Sequence, residues 1–156
     1  MSKQQYFNAS IRNLTYRLRK FKDLLNSELE KIVLNHEDEI ISMIAEDQMY
    51  NKGITGKKTE ITPYYHTSTI KRKQRKGQRT DHVTLKDSGL FYNKMHINFD
   101  ENGFYITSDA EYTQDLIDKY GTAIFRLTNE NLNIIIHKYI RPDLQQKLIE
   151  SLAIDD

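Results

Sequence analysis

The chain has 156 residues, with 23 Lys and Arg against 22 Asp and Glu, for a formal net charge of +1. That length suits one domain with a modest core, and a near-neutral charge directs attention to local clusters instead of a global pull toward nucleic acid or membrane. The absence of Cys excludes disulfides, thiol catalysis and Cys-based zinc sites in this chain, and fits a reducing compartment.

The first ten residues are polar and carry no apolar stretch of the signal-peptide kind, so no secretion signal is expected and the sequons at Asn8 and Asn13 read as chance. Uninterrupted apolar runs such as Ile134-Ile135-Ile136 fall far short of the ~20 residues that span a bilayer. No membrane partner is expected.

Residues 5 to about 50 read as helix. Phe7, Ile11, Leu14, Leu18, Phe21, Leu25, Leu29 and Ile32 recur at alternating intervals of three and four, one apolar stripe with a near-heptad seam. Arg12, Arg17, Arg19, Lys20, Lys22 and Asp23 occupy the other face. Ser27 followed by Glu30 forms a capping-box pattern, so one long helix and two helices hinged near residue 26 are both open. The stripe either packs on its own domain or docks on a neighbouring subunit. In the second case Phe7, Ile11, Leu14, Leu18 and Phe21 are the candidate interaction arm.

Gly53 and Gly56 are expected to end the helix. Residues 57–80 read as a long loop that is strongly basic: Lys57, Lys58, Lys71, Arg72, Lys73, Arg75, Lys76 and Arg79 face only Glu60. A loop of this length in a compact domain usually carries function. The candidate interaction loop is therefore Lys71, Arg72, Lys73, Arg75, Lys76 and Arg79. With Tyr64 and Tyr65 just before it, this cluster could contact phosphates in a salt-sensitive, sequence-blind way. It could equally pair with the acidic stretch Glu37-Asp38-Glu39 and Glu46-Asp47 of another copy.

Residues 82–86 alternate and read as a short strand, followed by a turn at Asp87-Ser88-Gly89. Residues 90–99 alternate with Phe91, Met95, Ile97 and Phe99 on one side, slipping near Asn93. Asn102-Gly103 signals a primed hairpin turn, and Phe104–Thr107 is the return strand. Residues 110–120 read as helix closed by Gly121, and the state of 124–127 is open. Thr128 caps a further helix with Leu132, Ile135, Ile136 and Tyr139 on its buried side. Pro142 opens a last helix lined by Leu144, Leu148, Ile149 and Leu152. The expected fold class is α+β: a long N-terminal helical region, a small antiparallel sheet with a hairpin at 90–107, and C-terminal helices. The expected division is a helical arm at 1–26 and an α+β domain at 27–156.

Nothing in the sequence asks for catalysis or a cofactor. The six glycines are scattered, with no phosphate-cradling loop. The five histidines lack metal-ligand spacing; only His82 and His96 could meet, across paired strands. Ser88 lacks a nucleophile elbow and an assigned base, and reads as a turn residue. No metal site is expected.

The order of elements from the end of the first helix onward resembles the phage virion-morphogenesis, or tail-completion, family typified by phage Mu. That family carries Gly-x-x-Trp-x-Pro-Leu, then Thr-x-x-x-Lys, then Leu-x-x-Thr-Gly-x-Leu entering a hairpin. Here Pro63 matches the Pro. Thr67 or Thr69 with Lys71 or Lys73 matches the second element. Leu85 and Ser88-Gly89-Leu90 match the third, with Leu90 one place early. Tyr112 and Tyr120-Gly121-Thr122 stand for a Tyr…Gly segment after the hairpin, a pattern shared by neck and tail-completion proteins of other long-tailed phages. The resemblance covers roughly residues 27–125. Trp is absent from the chain and Ser88 replaces Thr. The resemblance implies a structural, non-enzymatic virion protein, a tail-completion or head–tail connector subunit without cofactor. It would assemble in the host cytoplasm into a ring, often six-fold in such proteins. Its partners would be its own copies and other phage neck or tail proteins, with non-specific DNA contact at the basic cluster. The alternative is a small nucleic-acid-binding or regulatory protein using residues 71–79.

Overall fold

The computed structural model describes residues 3–153, with side chains from Ile11 to Ala153. The architecture is α+β: a long N-terminal helix, a two-stranded antiparallel sheet and C-terminal helices. The described chain forms two compact units. Helix α1 and the segment from Ile136 onward make one, and His36–Ile135 makes the other.

In the first unit, α1 spans Lys3–Asn35 without interruption. The hinge considered near residue 26 is not present, because Ser27 Oγ donates back to the Leu24 carbonyl at 2.9 Å instead of capping a new helix. The unit's other helix, α7 (Arg141–Leu152), follows a π-helical turn at Ile136–Ile140 and carries Pro142 in its first turn, as expected. The two helices pack together, and the Arg17 guanidinium donates to the Ala153 carbonyl just past the end of α7. A cation there satisfies a helix-end carbonyl and complements the helix dipole.

The second unit begins with α2 (Glu37–Ser42), whose first turn carries Glu37, Asp38 and Glu39, the favourable sign for a helix N-terminus. It continues as a π-helical segment, Met43–Lys52, closed by Gly53 in the left-handed conformation. The region expected to be loop contains a helix, α3 (Thr67–Arg75), with His66 Nδ1 accepting from the Ser68 amide at its start. Residues 82–86 are not a strand. Instead they form an irregular segment in which Leu85 takes a positive φ of 54°.

The hairpin starts later than expected. Leu90–Asn93 is one helical turn, α4, entered through Gly89 at φ 89°. Strands β1 (Met95–Asp100) and β2 (Gly103–Ser108) follow, paired in the register Ile97↔Ile106 and Asp100↔Gly103. The two turn residues are therefore Glu101 and Asn102. Neither has the positive φ of a primed turn, which falls on Gly103 instead. Beyond the sheet come α5 (Thr113–Tyr120), a 3₁₀ turn at Thr122–Phe125, and α6 (Asn129–Ile135).

The core of this unit gathers Ile40, Ile44, Met49, Ile61, Val83, Phe91, Ile97, Ile106, Ile124 and Ile135. Each such side chain contributes about 1.5–3 kcal/mol through burial. Phe91 is central, its ring centroid 5.6 Å from that of Phe125. The side expected to be buried on the helix after Thr128 is only partly so: Ile135 is buried, whereas Leu132 and Ile136 are exposed and the polar Asn131 takes an interior place. Among the described residues, no helix is long and apolar enough to cross a membrane.

Candidate functional site

The six basic residues singled out in the sequence are placed differently from one another. Helix α3 sorts them. Lys71, Arg72, Arg75 and Lys76 face outward, but Lys73 is only 3% exposed. Its ammonium donates to the Lys86 carbonyl at 2.6 Å and lies 5.1 Å from the centre of the Tyr65 ring. No carboxylate pairs with it among the described residues. A buried ammonium needs hydrogen bonds in place of water; here the Lys86 carbonyl accepts the short one, Gln78 Oε1 and Thr84 Oγ1 accept longer ones at 3.4 and 3.5 Å, and the Tyr65 ring adds a cation–π contact.

Two further cations are paired. Lys76 meets Asp87 at 2.7 Å, which helps hold the Asp87 carboxyl below its ordinary range, with Arg72 and Lys73 contributing. Arg79 forms a two-pronged contact with Asp81, at 3.0 and 2.7 Å. That hydrogen bonding is the largest cause of the strong downward shift of the Asp81 carboxyl and raises the Arg79 guanidinium. This leaves Lys71, Arg72 and Arg75 exposed and, among the described residues, without an ion pair.

The segment facing α3 is pinned by two tyrosines. Tyr65 Oη accepts from the amides of Thr84, at 2.8 Å, and Leu85, at 3.2 Å. Tyr92 Oη donates to the Thr84 carbonyl, and burial drives its hydroxyl strongly upward in pKa. The amides of Thr84 and Leu85 and the Thr84 carbonyl are thus satisfied by side chains, where the expected strand would have used a neighbour. Between this segment, α3 and α5 lies a cleft of about 340 Å³, with Arg72, Lys73 and Lys119 among its walls.

His82 and His96 do not meet. His82 Nε2 lies 2.8 Å from the Tyr50 carbonyl oxygen, while His96 stands opposite Thr107 on the hairpin. No group of three or more His, Asp or Glu suited to a metal occurs among the described residues.

A polar cluster not visible from sequence patterning joins the π-helical segment to α6. Gln48, fully buried, accepts from the Thr128 amide at 2.7 Å and donates to the Arg126 carbonyl at 2.9 Å. Asn131 donates to Gln48 Oε1 at 3.1 Å and to Asp47 at 3.0 Å. Thr128 does cap α6, accepting from the Asn131 amide at 3.2 Å. The reciprocal half of the capping box is supplied by Gln48, from 80 residues away. A buried Gln within a helical stretch carries no sequence signature of such a role.

The candidate arm on α1 is open from Ile11 to Leu18. Ile11, Leu14 and Leu18 are 47, 47 and 44% exposed, and Phe21 is half-buried. The Phe7 side chain lies outside the described residues. Compared with known proteins, the chain matches no family model, no curated protein and no solved structure.

Proposed function

We propose that this chain is a non-catalytic structural subunit of a tailed-phage virion, completing the tail or forming part of the head–tail connector, and that it works by assembling with its own copies into a ring. The observation that carries this reading is the open stripe on α1. Three large aliphatic side chains in heptad-like spacing each keep over two-fifths of their surface in water. A stripe of that kind is an interaction surface in waiting. Separated patches of opposite charge support a head-to-tail contact. The outward cations of α3 and the exposed Asp38 and Glu39 of α2 would meet between copies, and repetition of such a contact closes a ring.

Sequence-blind nucleic-acid binding is the second reading. It is weakened because Lys73, Lys76 and Arg79 are engaged within the chain, leaving three of the cluster's six cations exposed and without an ion pair among the described residues, fewer than the about six or more phosphate contacts that go with steep salt dependence.

Sedimentation velocity and negative-stain imaging test the proposal. The expected result is a defined oligomer with ring-shaped particles, either alone or on a tail tube. Leu14→Glu with Leu18→Glu should retain the helical circular dichroism of the wild type but sediment as a monomer. A wild-type chain that stays monomeric at all concentrations and does not bind tail-tube protein overturns it.

A further inference from the structure

The cleft beside α3 has properties that ring assembly does not use. Arg72 and Lys119 stand on its walls and neither forms an ion pair among the described residues. Lys73 lies buried behind them with its charge uncompensated by a carboxylate. The acidic group at the rim, Asp87, is already engaged by Lys76 at 2.7 Å. The field in the cleft is therefore positive, with two exposed cationic heads, that of Lys119 lying 5.1 Å from the centre of the Tyr120 ring, within reach of an anion. Tyr65, Tyr112 and Tyr120 also line it. Two of those rings are fixed in place, Tyr65 by its hydroxyl contacts to Thr84 and Leu85 and Tyr112 against Phe91 at 6.5 Å. A volume of about 340 Å³ lies at the small end of ligand sites, about 300–1,000 Å³.

We infer that this cleft binds a single nucleotide unit, its phosphate held between Arg72 and Lys119 and its base lying against the tyrosine rings. Cationic heads next to fixed aromatic faces provide for both halves of such a ligand. A phosphate monoester carries up to two charges near neutral pH. The nucleotide can come from solution or from the phosphorylated end of a single strand, and both present the same chemistry. This inference does not depend on the ring proposal, since a monomer would contain the whole cleft.

Calorimetric titration of the full chain with adenosine 5′-monophosphate at low salt tests it. The expected result is saturable binding that weakens at least tenfold for unphosphorylated adenosine, and about tenfold for Arg72→Ser and for Lys119→Ser. Both positions are exposed, so folding should be kept, which circular dichroism checks. Lys20→Ser, remote in sequence and outside the cleft, should bind as the wild type does. A 5′-phosphorylated oligothymidylate that outcompetes the mononucleotide assigns the ligand to a strand end; the opposite ranking assigns it to a free nucleotide. No binding to the wild type, or binding unchanged in both cleft variants, overturns the inference.

Discussion

The Lys73 ammonium and the Lys86 backbone carbonyl are joined by a 2.6 Å hydrogen bond inside the second unit. It anchors α3 to the irregular segment that precedes the hairpin. The bond withdraws Lys73 from the basic cluster that a partner could meet. It also predicts how substitutions at position 73 divide. Lys73→Ala removes the stem and orphans the carbonyl, and should cost about 2–3 kcal/mol in urea unfolding. Lys73→Met keeps most of the packed stem and removes a charge buried without a counter-ion, so it should cost about 1 kcal/mol or less. Equal losses would show that the ammonium, not the stem, holds α3 in place.

The Gln48–Asn131 pair predicts a measurable coupling. Each amide is buried and bonded to several partners. Gln48→Ala or Asn131→Ala leaves interior donors or acceptors unmet, for a loss of about 2–3 kcal/mol each. Because the two share a contact at 3.1 Å, the double variant should be less destabilised than the sum by about 1 kcal/mol. A double-mutant cycle in denaturant measures this, and strict additivity would mean that the two amides act independently, each through its other partners.

How far the sequence disclosed these features follows from where the stabilising contacts originate. The hairpin was legible because its alternation and turn signal are local, although the turn fell one residue earlier than Asn102-Gly103 suggested. The Thr128 cap, Pro142 and Gly53 were legible for the same reason. Helix α3 was hidden because its sequence is nearly all polar and its apolar side is replaced by the buried stem of Lys73. Residues 82–86 alternate as a strand should, but among the described residues no second strand reaches them. Tyr65 and Tyr92 take the place of a neighbour, and that tertiary substitution leaves no periodic trace. The α1 stripe was legible as a stripe, and its exposure could be learned only from where α7 packs.

Asp47 predicts a pH effect of definite sign. Burial raises its carboxyl, but hydrogen bonds from Lys52 and Asn131 outweigh that, so its pKa in the folded chain lies below the ordinary 3.8. A depressed carboxyl contributes stability that is present above the unfolded value and lost as pH falls through the folded value. Asp47→Asn should therefore be less stable than the wild type at pH 7. The gap should narrow as pH falls below about 4 and vanish once the native carboxylate is protonated. With over a third of the side chain exposed, screening limits the effect to about 1 kcal/mol or less. Chemical unfolding at a series of pH values reads the gap, and a constant difference across the acid range would mean that charge plays no part.

Gly53 and Gly77 form a natural pair for separating backbone strain from close approach. Their φ angles are 63° and 64°, both in the left-handed region that closes a helix. A Cβ added at Gly77 would meet nothing within 4 Å, whereas at Gly53 it would lie 2.4 Å from the His82 ring. That ring is itself fixed, with Nε2 at 2.8 Å from the Tyr50 carbonyl oxygen, so it cannot simply swing aside. Gly77→Ala should cost only the conformational strain, about 1 kcal/mol. Gly53→Ala adds the displacement of His82 and should cost roughly 3 kcal/mol. The difference should shrink in a His82→Ala background, where the obstructing ring is gone, while the Gly77 effect stays unchanged. Thermal or urea unfolding of the three single variants and of the two double variants with His82→Ala measures both terms. A Gly53→Ala loss that does not respond to the removal of His82 would place the whole cost in the backbone.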